Sequence, residues 1–294
     1  MAANGKLRRG FCLLVRGKVV LMGERQYHLA LGPGELAETV LLVGDPGRAE
    51  RGADLFDEVR LERRQREFVT FTGTKEGREL SLLATGIGPD NLEIALLEAC
   101  QITSSPTFIR VGTCGALQPE MELGDLVVTT GAVRLEDTSL WFVPPGYPAV
   151  AHLEVVLALV EAAERLGARY HLGLTASASG FYGAQGREVP GFPLRQPGIQ
   201  EDLARRNVLN FEMESSVLFS LAALRGLRAG TVCVVYANRP RGTFVAPEDK
   251  IPLERTCLKV GFLAALLLAE MDAVKASAGA RFWQPSLCLN SRKA

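Results

Sequence analysis

The sequence predicts one α/β domain of three layers, α/β/α, around a mixed, largely parallel central sheet. Three observations point there. Short apolar runs alternate with helical patterns through most of the chain, and no repeat or linker divides it. At 294 residues the chain can bury a sizeable core. Several apolar runs also break into glycine-rich turns, and one such turn leads directly into a helix, a layout that aims backbone N–H groups at an anion.

The first strand is Thr39–Val43, breaking into Gly-Asp-Pro-Gly-Arg at 44–48 before a helix over 49–56. Arg63, Arg64 and Arg66 form a basic run, read as a solvated face, ahead of an alternating strand over 67–74. A strand over 80–84 ends at Thr-Gly-Ile-Gly, and the pattern over 92–101 is helical. The strand over 107–111 carries Arg110 in an apolar setting and runs into Gly112-Thr113-Cys114-Gly115. An arginine there needs a partner, and an anion at the strand's carboxyl end is the natural one. Further strands are read over 124–130, 171–177 and 231–236, with helices over 153–166, 215–225 and 252–274. The loop 179–187 sets Phe181 and Tyr182 beside Gln185 and Arg187, a set suited to a flat ring with polar edges. Residues 188–200, rich in proline, read as an irregular connection or lid.

Asn-Phe-Glu-Met-Glu-Ser-Ser at 210–216 is the stretch around which the rest is organised. On an extended chain Glu212 and Glu214 project to one side, with Met213 opposite. Carboxylates in an apolar run need donors, and a sugar's vicinal hydroxyls supply two. The alternative is a helix start capped by Asn210.

Composition narrows the function. Lys plus Arg and Asp plus Glu are each 33, which argues against nucleic-acid binding by bulk charge. Three histidines and no HExxH leave little for a transition metal. Six scattered cysteines, none in CxxC spacing, suit a reducing, cytoplasmic setting. The apolar stretch at 11–15 is too short for a signal peptide, and 260–269 too short to span a bilayer.

Taken together, seven ordered motifs resemble the nucleoside phosphorylases of the trimeric or hexameric type, most closely the bacterial uridine phosphorylases. They are Gly-Asp-Pro-Gly-Arg (44–48), Arg-Glu-Phe (66–68), Thr-Gly-Ile-Gly (85–88), Arg-Val-Gly-Thr-Cys-Gly (110–115), Phe-Tyr-Gly-Ala-Gln-Gly-Arg (181–187), Glu-Met-Glu-Ser (212–215) and Asn-Arg (238–239). The resemblance runs from about residue 27 to 271 and implies phosphorolysis of uridine in pyrimidine salvage. It implies inorganic phosphate as co-substrate and no organic cofactor. By that resemblance Gly44, Arg48, Arg110 and Thr113 hold phosphate, joined by Arg66 from a neighbouring subunit. Thr113, Met213 and Glu214 hold ribose, with His28 reaching its 5′ end across an interface. Phe181, Gln185, Arg187 and Glu212 form the base site, and Arg110, Glu214 and Arg187 are the catalytic set. The assembly implied is a homo-oligomer of dimer units, a hexamer. Glu67, Ile87 and Asn91 match a potassium site at a subunit interface, with Asn91 where some relatives place serine. Related purine phosphorylases carry Ser-Asp where this chain has Asn238-Arg239, so their purine-protonating acid is missing. The segment between Arg187 and Asn207 is shorter and richer in proline than in typical bacterial members.

The domain is expected over 22–276, after a non-core extension at 1–21 and before a loosely held tail at 277–294. A chain beginning at Met22 should therefore stay soluble and active, and loss of soluble protein on that truncation would refute the boundary.

Overall fold

The structure is a computed structural model that describes residues 12–15, 18–21 and 25–289. In order the elements are β1 (Cys12–Val15), β2 (Lys18–Leu21), β3 (Thr39–Val43), α1 (Pro46–Gly52), β4 (Glu58–Gln65), β5 (Phe68–Lys75), β6 (Arg78–Ala84), α2 (Pro89–Ile102), β7 (Thr107–Ala116) and β8 (Leu126–Leu135). There follow β9 (Ala149–Val150), α3 (Leu153–Arg165), β10 (Tyr170–Ala178), α4 (Ile199–Arg205), β11 (Val208–Glu212), α5 (Ser215–Leu224), β12 (Arg228–Asn238), β13 (Thr243–Phe244), α6 (Lys250–Ala278) and α7 (Pro285–Leu289). Of the expected extension, β1 and β2 pair as an antiparallel hairpin apart from the main sheet. The rest of it, the start at Met22 and residues 290–294 of the tail lie outside the described residues.

Alternation along the strands builds the three layers. On β3, Leu41 and Val43 face a core shared with α3 and α6, while Val40 and Leu42 face a second core shared with α2 and α5. A strand buried on both faces reads as an unbroken apolar run, which is what Thr39–Val43 is. The sheet is mixed, as expected. β3 pairs in parallel with β6 and β7, and β10 with β8 and β11. β12 pairs in parallel with β7 and antiparallel with β8. Because β11 also pairs with β7, the strands β7, β12, β8, β10 and β11 close into a ring. From that ring β3, β6, β5 and β4 continue as an open wing.

Local expectations are refined at four places. The basic run is solvated, as read, and it is ordered as well: residues 58–65 form edge strand β4, which turns at Arg66 (φ +53°) into β5. Its charges sit on an exposed edge, where they oppose further strand pairing. Strand β7 runs through the glycines to Ala116, and the connection after Arg187 regains a helix at Ile199. Asn210 caps nothing. It lies inside β11, where its Oδ1 accepts from the Thr175 hydroxyl at 2.9 Å. Among the described residues no helix is long and apolar enough to cross a membrane.

A charge network closes the sheet at the start of β7 and β12. Arg228 donates to Asp272 at 2.8 and 2.9 Å and to the Thr107 hydroxyl at 3.1 Å. Glu154 accepts from Lys275 at 2.6 Å and from the Trp283 N–H at 3.0 Å, tethering the chain beyond α6. Burial works to raise both carboxyl groups, but Lys275 and the Trp283 amide hold Glu154 below its ordinary value. Arg228 and Lys275 do the same for Asp272. A depressed carboxyl contributes stability above its unfolded value and loses it as pH falls through the folded one. The urea midpoint should therefore drop as pH is lowered from about 5, and Glu154→Gln with Asp272→Asn should flatten that slope. Equal slopes in variant and parent would refute the assignment.

Candidate active site

A cavity of about 860 Å³ opens among the C-terminal ends of β3, β7, β11 and β12 and the loops after them. Its lining brings together most of the expected residues. Gly44 and Arg48 come from the β3–α1 turn, and Arg110 and Thr113 from β7. Glu212, Met213 and Glu214 come from the β11–α5 junction, and Phe181, Gln185 and Arg187 from the loop after β10. Glu67, Ile87 and Asn91 lie at the same cavity, grouped around Gly86, where a Cβ would collide with the Asn91 amide. His28 and Arg66 do not line it.

The centre is a buried cation between two buried anions. Strand β11 ends at Glu212 and α5 begins at Ser215, so the two carboxylates converge by a turn at Met213 rather than by strand alternation. Arg110 donates from Nε to Glu212 at 3.1 Å and from Nη2 to Glu214. Glu212 also accepts from the Glu214 N–H at 2.9 Å, from the Ser215 N–H at 3.0 and 3.1 Å, and from the Ser177 hydroxyl. It thus meets the first N–H of α5, the task that the alternative reading gave to Asn210. Glu214 accepts from the Gly88 N–H at 2.8 Å and the Met213 N–H at 3.1 Å. Burial, reinforced by Glu212, raises the Glu214 carboxyl above the ordinary range despite Arg110. Burial alone would lower the Arg110 guanidinium, but Glu214 and Glu212 reverse this and raise it. Gly112 makes the room: a Cβ there would stand 2.8 Å from Cys233 Sγ and 3.0 Å from Arg110 Nη2.

A hydrogen-bond chain continues behind the carboxylates. The Ser216 N–H donates to the Ser177 hydroxyl at 3.0 Å, and the Ser216 hydroxyl donates to buried Glu136 at 2.9 Å. Glu136 takes the Ser139 N–H at 2.8 Å, and Arg134 donates to the Ser139 hydroxyl at 2.8 and 3.0 Å.

The two ends of the cavity differ. At one end Arg48 and Arg110 are paired with carboxylates, yet each keeps a buried N–H without an acceptor, Nε and Nη1 respectively; Arg187 and Arg239 at the other end likewise keep a free Nε–H. At the other end Arg187 lies 4.1 Å over the Phe181 ring and Arg239 lies 4.7 Å over Phe211. Arg239 donates to the Gln185 main-chain carbonyl at 3.0 Å and to its side-chain oxygen, which fixes the acceptor end of that amide. Burial, followed by the nearby Arg187, pulls the Arg239 guanidinium down to about 9, and burial lowers that of Arg187. Neither has a carboxylate partner among the described contacts, so this end offers donors to a polar, electron-rich edge. Sequence reading missed Arg239 as a site residue. The Asn-Arg pair was read for the acid it lacks, and the arginine itself was the available signal.

His28 and Arg66 meet elsewhere on the surface. Arg66 donates to the Tyr27 hydroxyl at 3.2 Å, and the Tyr27 and His28 rings touch edge-on with centroids 4.8 Å apart. His28 Nδ1 lies 2.7 Å from Glu98, which also accepts the His28 and Leu29 N–H groups.

Removing Arg110 would leave two buried carboxylates unpaired. Arg110→Met should lower unfolding stability in urea by about 3–5 kcal/mol, and adding Glu214→Gln should restore part of the loss. A loss of under about 1 kcal/mol, the scale of an exposed pair, would refute this reading of the centre.

The family model for the Phosphorylase superfamily matches residues 38–257. A uridine phosphorylase of Thermococcus kodakarensis is 47% identical over 266 residues, covering 89% of this chain and 93% of its own. A uridine phosphorylase of Escherichia coli is 39% identical over 248 residues, covering 81% and 96%. A guanosine phosphorylase of Halorubrum lacusprofundi is 38% identical over 230 residues, covering 78% and 90%. With its α/β layers, its arginine-lined cavity and this extent of match, the chain belongs to the Phosphorylase superfamily.

Proposed function

We propose that the protein catalyses phosphorolysis of uridine, giving uracil and ribose 1-phosphate. The observation that carries the reading is the polarity of one cavity. It has the carboxylate-paired Arg48 and Arg110, each with a spare buried N–H, at one end, Glu214 at its centre, and Gln185 with Arg187 and Arg239, which have no carboxylate partner, at the other. Similarity to the named uridine phosphorylases supports it.

In this reading phosphate sits on Gly44, Arg48, Arg110 and Thr113. One of its oxygens forms the new bond to the anomeric carbon as the bond from that carbon to the base nitrogen breaks, the electron pair leaving with the base. Positive charge grows on the sugar, where the phosphate anion stabilises it. Negative charge grows on the uracil oxygens, which Arg187 and Arg239 receive before the base takes a proton from solvent. Glu214, with Met213 and Thr113, fixes the ribose through its hydroxyls. Phe181 packs on the ring, Gln185 pairs with its edge, and Glu212 holds Arg110 and the turn rather than the base. No organic cofactor enters.

Finer features belong to the same proposal. His28 and Arg66, held together outside their own cavity, complete the site of a second copy in a homo-oligomer, a hexamer of dimer units. Glu67, Ile87 and Asn91 supply one chain's share of a potassium site at that interface. The enzyme works in the cytoplasm, in pyrimidine salvage.

Similarity to a guanosine phosphorylase supports a second reading, a purine nucleoside substrate. The Asn238-Arg239 pair stands against it, because it offers no carboxylic acid to protonate a purine. The deciding assay is base release from uridine, thymidine, cytidine, inosine and guanosine, with and without phosphate. The expected outcome is phosphate-dependent uracil release, with cytidine slower by at least about 100-fold because its amino group meets donors. Phosphate-independent release would make the protein a hydrolase, and preference for guanosine or inosine would overturn the base site.

A further inference from the structure

We propose that Glu254 on α6 is a positioning residue for phosphate, acting through Arg48; this rests on the phosphorolytic reading of the cavity. Glu254 is 7% exposed and gathers donors from two other elements. Its Oε1 accepts from Arg48 Nη2 at 3.0 Å and from the Tyr236 hydroxyl at 2.6 Å, and its Oε2 accepts from Arg51 Nη2 at 2.6 Å. Arg48 Nη1 in turn donates to the Val111 carbonyl at 3.3 Å. Both outer nitrogens of Arg48 are thereby committed to protein acceptors, and Nε is left buried without one.

A guanidinium is a rigid planar fork, so fixing two of its nitrogens fixes the direction of the third. An untethered arginine would have to be immobilised at each binding event, at a cost in side-chain entropy that the tether removes beforehand. The carboxylate does not turn the site anionic. Arg48 and Arg51 flank it, and even with Asp45 on Arg51 at 3.1 Å the cluster carries no net negative charge. Burial works to raise the Glu254 carboxyl, but hydrogen bonds from Arg48, Tyr236 and Arg51 hold it below the ordinary range, so it stays ionised when phosphate arrives. If Glu254 were only a counter-charge it would weaken phosphate binding, and removing it would tighten the site. Positioning predicts the opposite sign.

The test is Glu254→Gln, assayed with phosphate varied at saturating uridine and with uridine varied at saturating phosphate. A parallel arm measures the rise in Tm that phosphate alone produces. The expected result is a phosphate KM raised about tenfold, the scale of one lost charge-assisted hydrogen bond. The uridine KM should stay within about twofold, and the phosphate-induced rise in Tm should shrink. Asp272→Asn, on the same helix and away from the cavity, should lower Tm and leave the phosphate KM alone. Arg51→Met loosens Glu254 without touching Arg48; it should raise the phosphate KM by a smaller factor and serves if Glu254→Gln fails to fold. An unchanged or lower phosphate KM, or equal changes for both substrates, overturns the proposal. If the parent protein releases no uracil, the phosphorolytic reading has failed instead. The thermal arm then decides alone: a smaller phosphate-induced rise in the variant supports positioning, and equal rises, or none in either protein, overturn it.

Discussion

Arg110 between Glu212 and Glu214 is the interaction on which the rest of the structure depends. A guanidinium in the middle of a central strand is untenable without counter-charge, and two carboxylates side by side are untenable without a cation. Each excess is resolved by the other, which is why three ionisable groups are buried together. Geometry then constrains the chain around them. Strand β11 must stop at Glu212, the chain must turn at Met213, and α5 must start where its first free N–H group meets the Glu212 carboxylate. Gly112 must lack a side chain for Arg110 to lie where it does. Helix start, strand end and charge centre are thus one arrangement.

The cavity sorts its charges by whether they are answered. Arg110 is paired twice, Arg48 once, and Arg187 and Arg239 with no carboxylate. Partly buried guanidinium groups without a counter-charge are raised in energy, and binding an electron-rich group relieves that cost. The end with the least compensation is the one at which charge would develop on a departing base, whereas the compensated end receives an ion that brings its own charge.

What could be read from the sequence was local. The run Thr39–Val43 and its glycine turn, the Glu-Met-Glu stretch and the 181–187 loop each announce themselves within a few residues, and the structure gathers them at one cavity. What escaped was set by distant partners. Arg63 and Arg64 read as a solvated basic run, and only pairing with β5 shows that the run is an edge strand. Asn210 has the right chemistry for a cap, but Thr175, 35 residues away, claims its oxygen. Glu254 sits in a helix with no motif around it, and its partner Arg48 is 206 positions earlier in the chain. Arg239 depends on Gln185, 54 positions before it.

The ring made by β7, β12, β8, β10 and β11 also bears on how the chain is made. Its closure brings β12 against the whole length of β7, with Arg228 reaching Thr107 across 121 positions of sequence. Contacts of that span are entropically costly to form and slow a chain's descent to the native state. During synthesis the strand carrying Arg110 emerges long before β12, and until β12 arrives one apolar edge of β7 stands open to any other strand. The carboxylates that neutralise Arg110 also lie downstream of it. A nascent chain therefore holds an unpaired cation in its central strand. That cation disfavours burial of the unfinished sheet until residues 212–214 have been added.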